Sequence, residues 1–299
     1  MDMALCSTGG CNEGVPFTVR EIDRYLFSKE VDTCTQCGQP IDYWEVGKHA
    51  FRQNFMNSQV FGILGAERKI LDLTLEPDTP LTIRFSDHGI PDEALILNII
   101  YTANGHSLTP IESHSNAPAR RMPEKQVTLI PYCMKDCEPQ PTRLAVWIDW
   151  MVPYVDEQAM KCLTTASSAY VSKNYVDMIV PANVAVELPT ERLVKKAITD
   201  GMSKKEKRCF KEKNSFCKLF NTQVPKIAND NNFPTLPAPI EEQLNSLRQL
   251  RNDIAHEGYP KPKRDFSEDN ASDYLCAAFF GIRYLMQLLD IAKPPHNQR

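Results

Sequence analysis

The chain has 299 residues, of which 42% are hydrophobic and 24% charged, with a net charge of −4. That is enough apolar material for packed cores, and it excludes wholesale disorder, a collagen-like chain and a coiled-coil rod. The charge is uneven: residues 1–155 hold 13 Lys and Arg against 20 Asp and Glu, and residues 156–299 hold 21 against 18, so the second half is the one suited to phosphate.

The opening segment, MDMALCSTGG, lacks a basic stretch followed by an apolar one, so no secretory signal is expected. No window reads as eighteen consecutive apolar residues, so neither is a membrane-spanning helix. The expectation is a cytoplasmic protein with no membrane partner. In that compartment the ten cysteines read as thiols or metal ligands, not disulfides.

Residues 1–44 form a small cysteine module. Cys6 and Cys11 are separated by four residues, and Cys34 and Cys37 by two, with Gly38 following. Two close pairs on tight turns can supply four thiolates to one tetrahedral ion, at a Zn–S distance of about 2.3 Å. The arrangement resembles a zinc ribbon, with a structural zinc, because four thiolates leave no open position. Free thiols are the alternative. Cys133 and Cys137 are a rival pair, and His49 is a substitute ligand.

Residues 45–65 read as a partly helical connector. From residue 66 the period becomes two. Leu71, Leu73 and Leu75 alternate with polar neighbours, as do Leu81, Ile83 and Phe85, then Val127 and Leu129, then Leu144, Val146, Ile148 and Trp150. The run 94–102 is apolar on both faces. Residues 66–153 are therefore expected to form an antiparallel β domain, with the Pro-rich stretch 107–125 as a long loop and Asp149 pointing outward.

After Pro153 the period is helical. Residues 155–175 read as one helix, and Pro181 and Pro189 as punctuation in an irregular stretch. Ser203 is placed as the N-cap of a basic helix over 204–220, and 229–239 as a loop. Helices follow over 240–256, stopped by Gly258 and Pro260, and over 273–292. The expected architecture is an α+β multidomain chain: a zinc ribbon, an antiparallel β domain of unassigned role, and an all-α bundle over 154–292.

Within 192–218 lie ten Lys and Arg against three acids. Lys204, Lys205, Lys207, Arg208 and Lys211, with phenylalanines interleaved, are candidates for holding an RNA backbone; a solvated face is the alternative.

Ile240, Leu244, Leu247, Arg251 and Ile254 recur at the spacing of a packed helical seam. Arginine is rarely buried unpaired, so Arg251 breaks the pattern. Asn252 and His256, four apart, share the adjacent face. A structural ion pair for Arg251 and a helix cap for His256 would also account for them. The segment LRQLRNDIAHEG, 247–258, resembles the signature helix of the HEPN superfamily, an Arg followed by a polar residue and, a few positions on, a His. Arg251, Asn252 and His256 match it, in a penultimate helix of an all-α domain. The tyrosine that some HEPN toxins carry two residues after the His is here one place later, at Tyr259.

The resemblance implies an RNA endonuclease that needs no metal for catalysis, assembled as a homodimer. In that reading His256 handles protons, Arg251 holds the phosphate and Asn252 orients His256 or a phosphate oxygen. It further implies an antiviral-defence or toxin effector with a regulatory or trigger protein as partner; the alternative is a non-catalytic HEPN dimerisation or adaptor protein. On an ideal helix Arg251 and His256 stand about 140° apart. Either the helix unwinds at its end or two chains share the site.

Overall fold

The computed structural model describes residues 3–28, 30–52, 59–104, 107–112, 125–133, 137–152, 157–213, 215–257 and 267–293. The chain divides into two compact units, residues 1–64 with 155–299 and residues 65–154.

The first unit opens with a hairpin of β1 (Met3–Leu5) and β2 (Gly14–Pro16), followed by α1 (Val19–Phe27), α2 (Tyr43–Arg52) and a single turn, α3 (Gln59–Gly62). Thr18 caps α1 through its side-chain oxygen, which accepts from the Arg20 amide.

The second unit holds β3 (Glu67–Leu75), β4 (Leu81–Arg84), β5 (Leu95–Asn104), β6 (Leu108–Glu112), β7 (Gln126–Cys133) and β8 (Thr142–Met151). They form two three-stranded antiparallel sheets, ordered β3-β8-β5 and β4-β7-β6. Alternate residues of both sheets, among them Leu75, Ile83, Leu129, Leu144, Val146 and Ile148, meet in one core. Strand β6 corrects the expected long loop. The Pro-rich composition disfavours a strand there, but Pro110 lies opposite Pro131 in the ladder. Two facing prolines fit a pair position that exchanges no hydrogen bonds, on an edge strand. Asp149 is also corrected. It is buried, and Arg68, directly opposite in the register, donates to both its oxygens at 2.7 and 3.2 Å.

The first unit resumes with α4 (Glu157–Val171), α5 (Tyr175–Val194) and α6 (Lys204–Lys213). The short α7 (Phe216–Lys218), α8 (Val224–Asp230), α9 (Ala238–Glu257) and α10 (Glu268–Ile291) complete it. The expected helix over 155–175 stops at Val171 and restarts at Tyr175, with Lys173 in the left-handed region at φ 59°. The expected irregular stretch at Pro181 and Pro189 is in fact the interior of α5. An interior proline costs a helix about 3 kcal/mol or more. Burial offsets this, since ten side chains of α5 are buried, Met178, Ile179 and Leu193 completely. The expected loop over 229–239 is shorter, because α8 and α9 extend into it. The Gly258 and Pro260 stop, Tyr259 and most of the Pro-rich stretch lie outside the described residues.

Helix α10 is the core of this unit and packs against α5, α9, α2 and α4. By length and composition alone it could cross a membrane, yet 72% of its most apolar window is buried inside the fold. Gly281 lets α9 approach: a Cβ there would stand 2.7 Å from Leu244 Cδ1. The N-terminal segment is fastened to the same helix. Arg283 donates to both oxygens of Asp23 at 2.7 and 2.6 Å, and Arg52 donates to Asp273 at 2.8 Å. Phe280 meets Tyr25 and Trp44 edge-on, and Phe279 does the same with Phe51 and Phe61.

Candidate functional site

The hairpin of β1 and β2 carries the first cysteine pair. Its ladder continues past Leu5, where the Cys6 amide donates to the Glu13 carbonyl at 2.9 Å. Gly10, at φ 81°, turns the loop so that Cys11 returns beside it. The second pair sits on a tight turn. The Gly38 amide donates to the Cys34 carbonyl and the Cys34 amide to the Gln39 carbonyl, both at 2.9 Å. Gly38 adopts φ 68°, where a Cβ is penalised.

These two turns bring Cys6, Cys11, Cys34 and Cys37 together, with all four sulfurs within 4.8 Å of one another, so the group could hold a metal ion. The pairs interlock: Cys6 lies 3.9 Å from Cys37, and Cys11 3.7 Å from Cys34. A tetrahedron with metal–sulfur bonds of about 2.3 Å has sulfur–sulfur edges of about 3.8 Å. The thiols also differ in proton affinity. Against the lowering pull of the Glu13 backbone, desolvation and hydrogen bonds with Cys34, Cys37 and Cys6 push Cys11 up to about 12. The Gln39 backbone, with help from Cys34, Thr8 and Cys11, draws Cys37 down to about 7. The rival cysteines are not part of this group: Cys133 points its sulfur at the Cys137 carbonyl, 3.3 Å away. Nor is His49, which lies on α2.

Helix α9 carries the Arg/Asn/His set. Its buried line runs through Ile240, Leu244, Leu247 and Leu250, each 4% exposed or less, while Arg251 and Ile254 are only half-buried. This corrects the expected seam. After Leu247 the packed line takes a three-residue step in place of four, and Arg251 falls on its shoulder. Nη1 of Arg251 donates to Asn252 Oδ1 at 3.2 Å, and Nη2 stands 3.9 Å from a carboxylate oxygen of Glu187 on α5. Within one chain, Asn252 therefore steadies Arg251. His256 is exposed one turn further on. The helix stays α-helical through Glu257, so unwinding does not bring His256 and Arg251 together.

The basic helix starts where expected but stops at Lys213, and a separate short turn, α7, follows from Phe216. Ser203 and Glu206 form a capping box: the Ser203 amide donates to the Glu206 carboxylate at 2.7 Å, and the Glu206 amide to Ser203 Oγ at 3.4 Å. Lys204, Lys205 and Arg208 are exposed, and Arg208 is tied to Glu212 at 2.9 Å. The Lys211 side chain lies outside the described residues. Lys207 differs from its neighbours in bordering a cavity together with Arg192 and Lys195. Arg192 and Lys195 belong to the basic run legible in the sequence, but their place beside a cavity is not, nor is Glu187 as the partner of Arg251, because these depend on helices brought together by the fold.

No protein-family model, no curated protein and no solved structure matches the chain.

Proposed function

We propose that the protein is a HEPN-type endoribonuclease, active as a homodimer, with no metal in its catalytic step and a structural zinc in its cysteine group. The observation that carries the reading is the unbroken helix α9. It presents Arg251 and Asn252 hydrogen-bonded side by side, with an exposed His256 about 140° around the axis. A second copy, facing this one, supplies the missing half of each site.

The chemistry suits these groups. The ribose 2′-hydroxyl attacks the adjacent phosphorus and the bond to the 5′-oxygen breaks, leaving a 2′,3′-cyclic phosphate and a free 5′-hydroxyl. A histidine, with an ordinary pKa of about 6.5, takes or gives the proton near neutrality. The arginine fork grips two phosphate oxygens as charge builds. Lys204, Lys205, Lys207, Arg208 and Lys211 steer the RNA backbone. The setting is cytoplasmic, in antiviral defence or a toxin system, with a regulatory or trigger protein as further partner. For the metal, a closed set of four thiolates favours zinc held for structure.

The Arg251–Glu187 pair favours one second reading, a non-catalytic HEPN dimerisation or adaptor module in which Arg251 is structural. The deciding experiment incubates purified protein with total cellular RNA and a chelator, at a level that leaves bound zinc unchanged by elemental analysis. Cleavage with cyclic-phosphate ends, lost in Arg251→Ala and in His256→Ala at unchanged melting temperature, supports the nuclease. Cleavage at unchanged rate per folded molecule in those variants ends the assignment of these residues, and no cleavage at all leaves the adaptor. Light scattering that finds an active monomer overturns the shared site.

A further inference from the structure

A cavity of about 560 Å³ opens in the helical unit between the C-terminal half of α5, the start of α4, and α6 and α7. Its size falls within the range of about 300–1,000 Å³ usual for small-molecule sites. Two short π-helical segments border it. Lys195–Thr199 continues α5 and contributes Lys195 and Thr199; Leu219–Gln223 follows α7 and contributes Leu219. Well under 1% of residues are π-helical, and such turns gather at functional sites. Finding two on the wall of one cavity is the first reason to regard it as built for a ligand.

The second reason is how polarity is arranged. Arg192 and Lys195 are exposed and Lys207 is half-buried, against one acid, Glu191. Phe210, Phe216, Leu188 and Leu219 are half-buried, turning apolar surface into the hollow. Positive charge thus rims an apolar interior. Water solvates such a wall poorly, and a purely apolar guest would leave Lys195 and Lys207 without a counter-charge.

We propose that this cavity binds an amphipathic carboxylate, with an alkyl or aryl body against Phe210, Phe216 and Leu219 and the carboxylate at Arg192, Lys195 and Lys207. The two lysines supply the point charges that hold the carboxylate, and Arg192 at the rim adds to the positive potential. The site lies apart from Arg251, Asn252 and His256 on α9, and because Lys207 also belongs to the basic run proposed to steer RNA, the double variant is read by dodecanoate binding and not by cleavage.

The test uses the full-length protein and dodecanoate, followed by calorimetry and by displacement of the fluorescent aryl sulfonate anilinonaphthalene sulfonate. The expected result is one saturable dodecanoate site per chain. Dodecanol, with the same body and no charge, should bind at least about tenfold more weakly, since a charge-assisted contact is worth about 10- to 100-fold. Lys195→Gln combined with Lys207→Gln should weaken dodecanoate by a similar factor at unchanged melting temperature. Equal affinity for dodecanol and dodecanoate overturns the proposal, as does unchanged affinity in the double variant. So does displacement of the probe by single-stranded RNA or adenosine monophosphate, but not by dodecanoate, which would make the cavity a nucleotide site.

Discussion

The cysteine group and the Arg/Asn/His set solve opposite problems. Cys6 and Cys37 are 31 positions apart in sequence, yet their sulfurs stand 3.9 Å apart. Arg251 and His256 are five positions apart, yet one rigid helix turns them away from each other. The first group is complete in one chain, because two turns and two left-handed glycines aim four side chains at one point. The second is spread around the helix axis, with Arg251 and His256 about 140° apart on α9. Proximity in sequence is therefore a poor guide to a shared site on a helix, and the two groups should respond differently to mutation. The cysteines should govern folding, and the α9 residues activity.

The largest effect is expected at the metal. Structural zinc in finger peptides is worth about 10–16 kcal/mol at neutral pH. The cysteine segment is not a detachable module. Asp23 and Arg52 tie α1 and α2 to α10, the core helix of the unit. If the group holds the proposed zinc, Cys34→Ser should abolish it and lower the melting temperature of the helical unit by at least about 10 °C, read by elemental analysis and circular dichroism. An unchanged helical transition after zinc loss would show that residues 1–44 unfold alone. Iron in place of zinc would correct the identity of the metal.

Next comes His256→Ala. Loss of a positioned acid–base group costs about 10²–10⁴ in rate, and the exposed position of His256 predicts little change in melting temperature. Arg251→Lys should not restore activity to an Arg251 variant, because a point charge lacks the fork. Single-turnover cleavage and melting, measured on the same samples, separate activity from stability.

A smaller effect tests what positions α9. Gly281→Ala improves helix propensity by about 0.5–1 kcal/mol. It also drives a methyl into Leu244, and overpacking of this kind costs about 1–3 kcal/mol. The expected balance is a loss of about 1 kcal/mol, seen in urea unfolding. A gain in stability would show that Leu244 swings away and that the close α9–α10 approach does not pin the motif helix.

How much of this was legible in the sequence follows from the range of each signal. Cys34-x2-Cys37-Gly38 announces its turn because spacing and the left-handed glycine are local properties. The strands of the second unit announce themselves by alternation, with β6 the exception, since a proline reads as a break until its partner strand is known. Pro181 and Pro189 misled for the converse reason: local propensity disfavours helix there, and burial by α4, α9 and α10 overrides it. Asp149 alternates like an outward residue, and only the register with Arg68 shows it buried and paired. The Arg251 shoulder, its Glu187 partner and the cationic cavity depend wholly on helix packing, which no local pattern encodes.

The smallest predicted effect cuts most directly between the two readings of Arg251. If Arg251 is there for structure, Glu187 is its reason for being there, and Glu187→Gln should destabilise the fold as much as Arg251→Ala does. The geometry argues otherwise. The Arg251–Glu187 separation is 3.9 Å, and the arginine side chain keeps 36% of its surface exposed. Glu187 keeps 19%, and a pair this long and partly solvated contributes about 0–1 kcal/mol. Glu187→Gln should therefore shift stability by less than about 0.5 kcal/mol. Arg251 then keeps its hydrogen bond to Asn252 and loses only a competing carboxylate. If the guanidinium must release Glu187 to grip phosphate, the variant should bind RNA somewhat more tightly and cleave at least as fast. Binding measured by titration with labelled single-stranded RNA at fixed salt, beside urea unfolding of the same protein, decides the matter. A destabilised Glu187→Gln with unchanged RNA binding would move Arg251 from the nuclease column to the packing of α5 against α9.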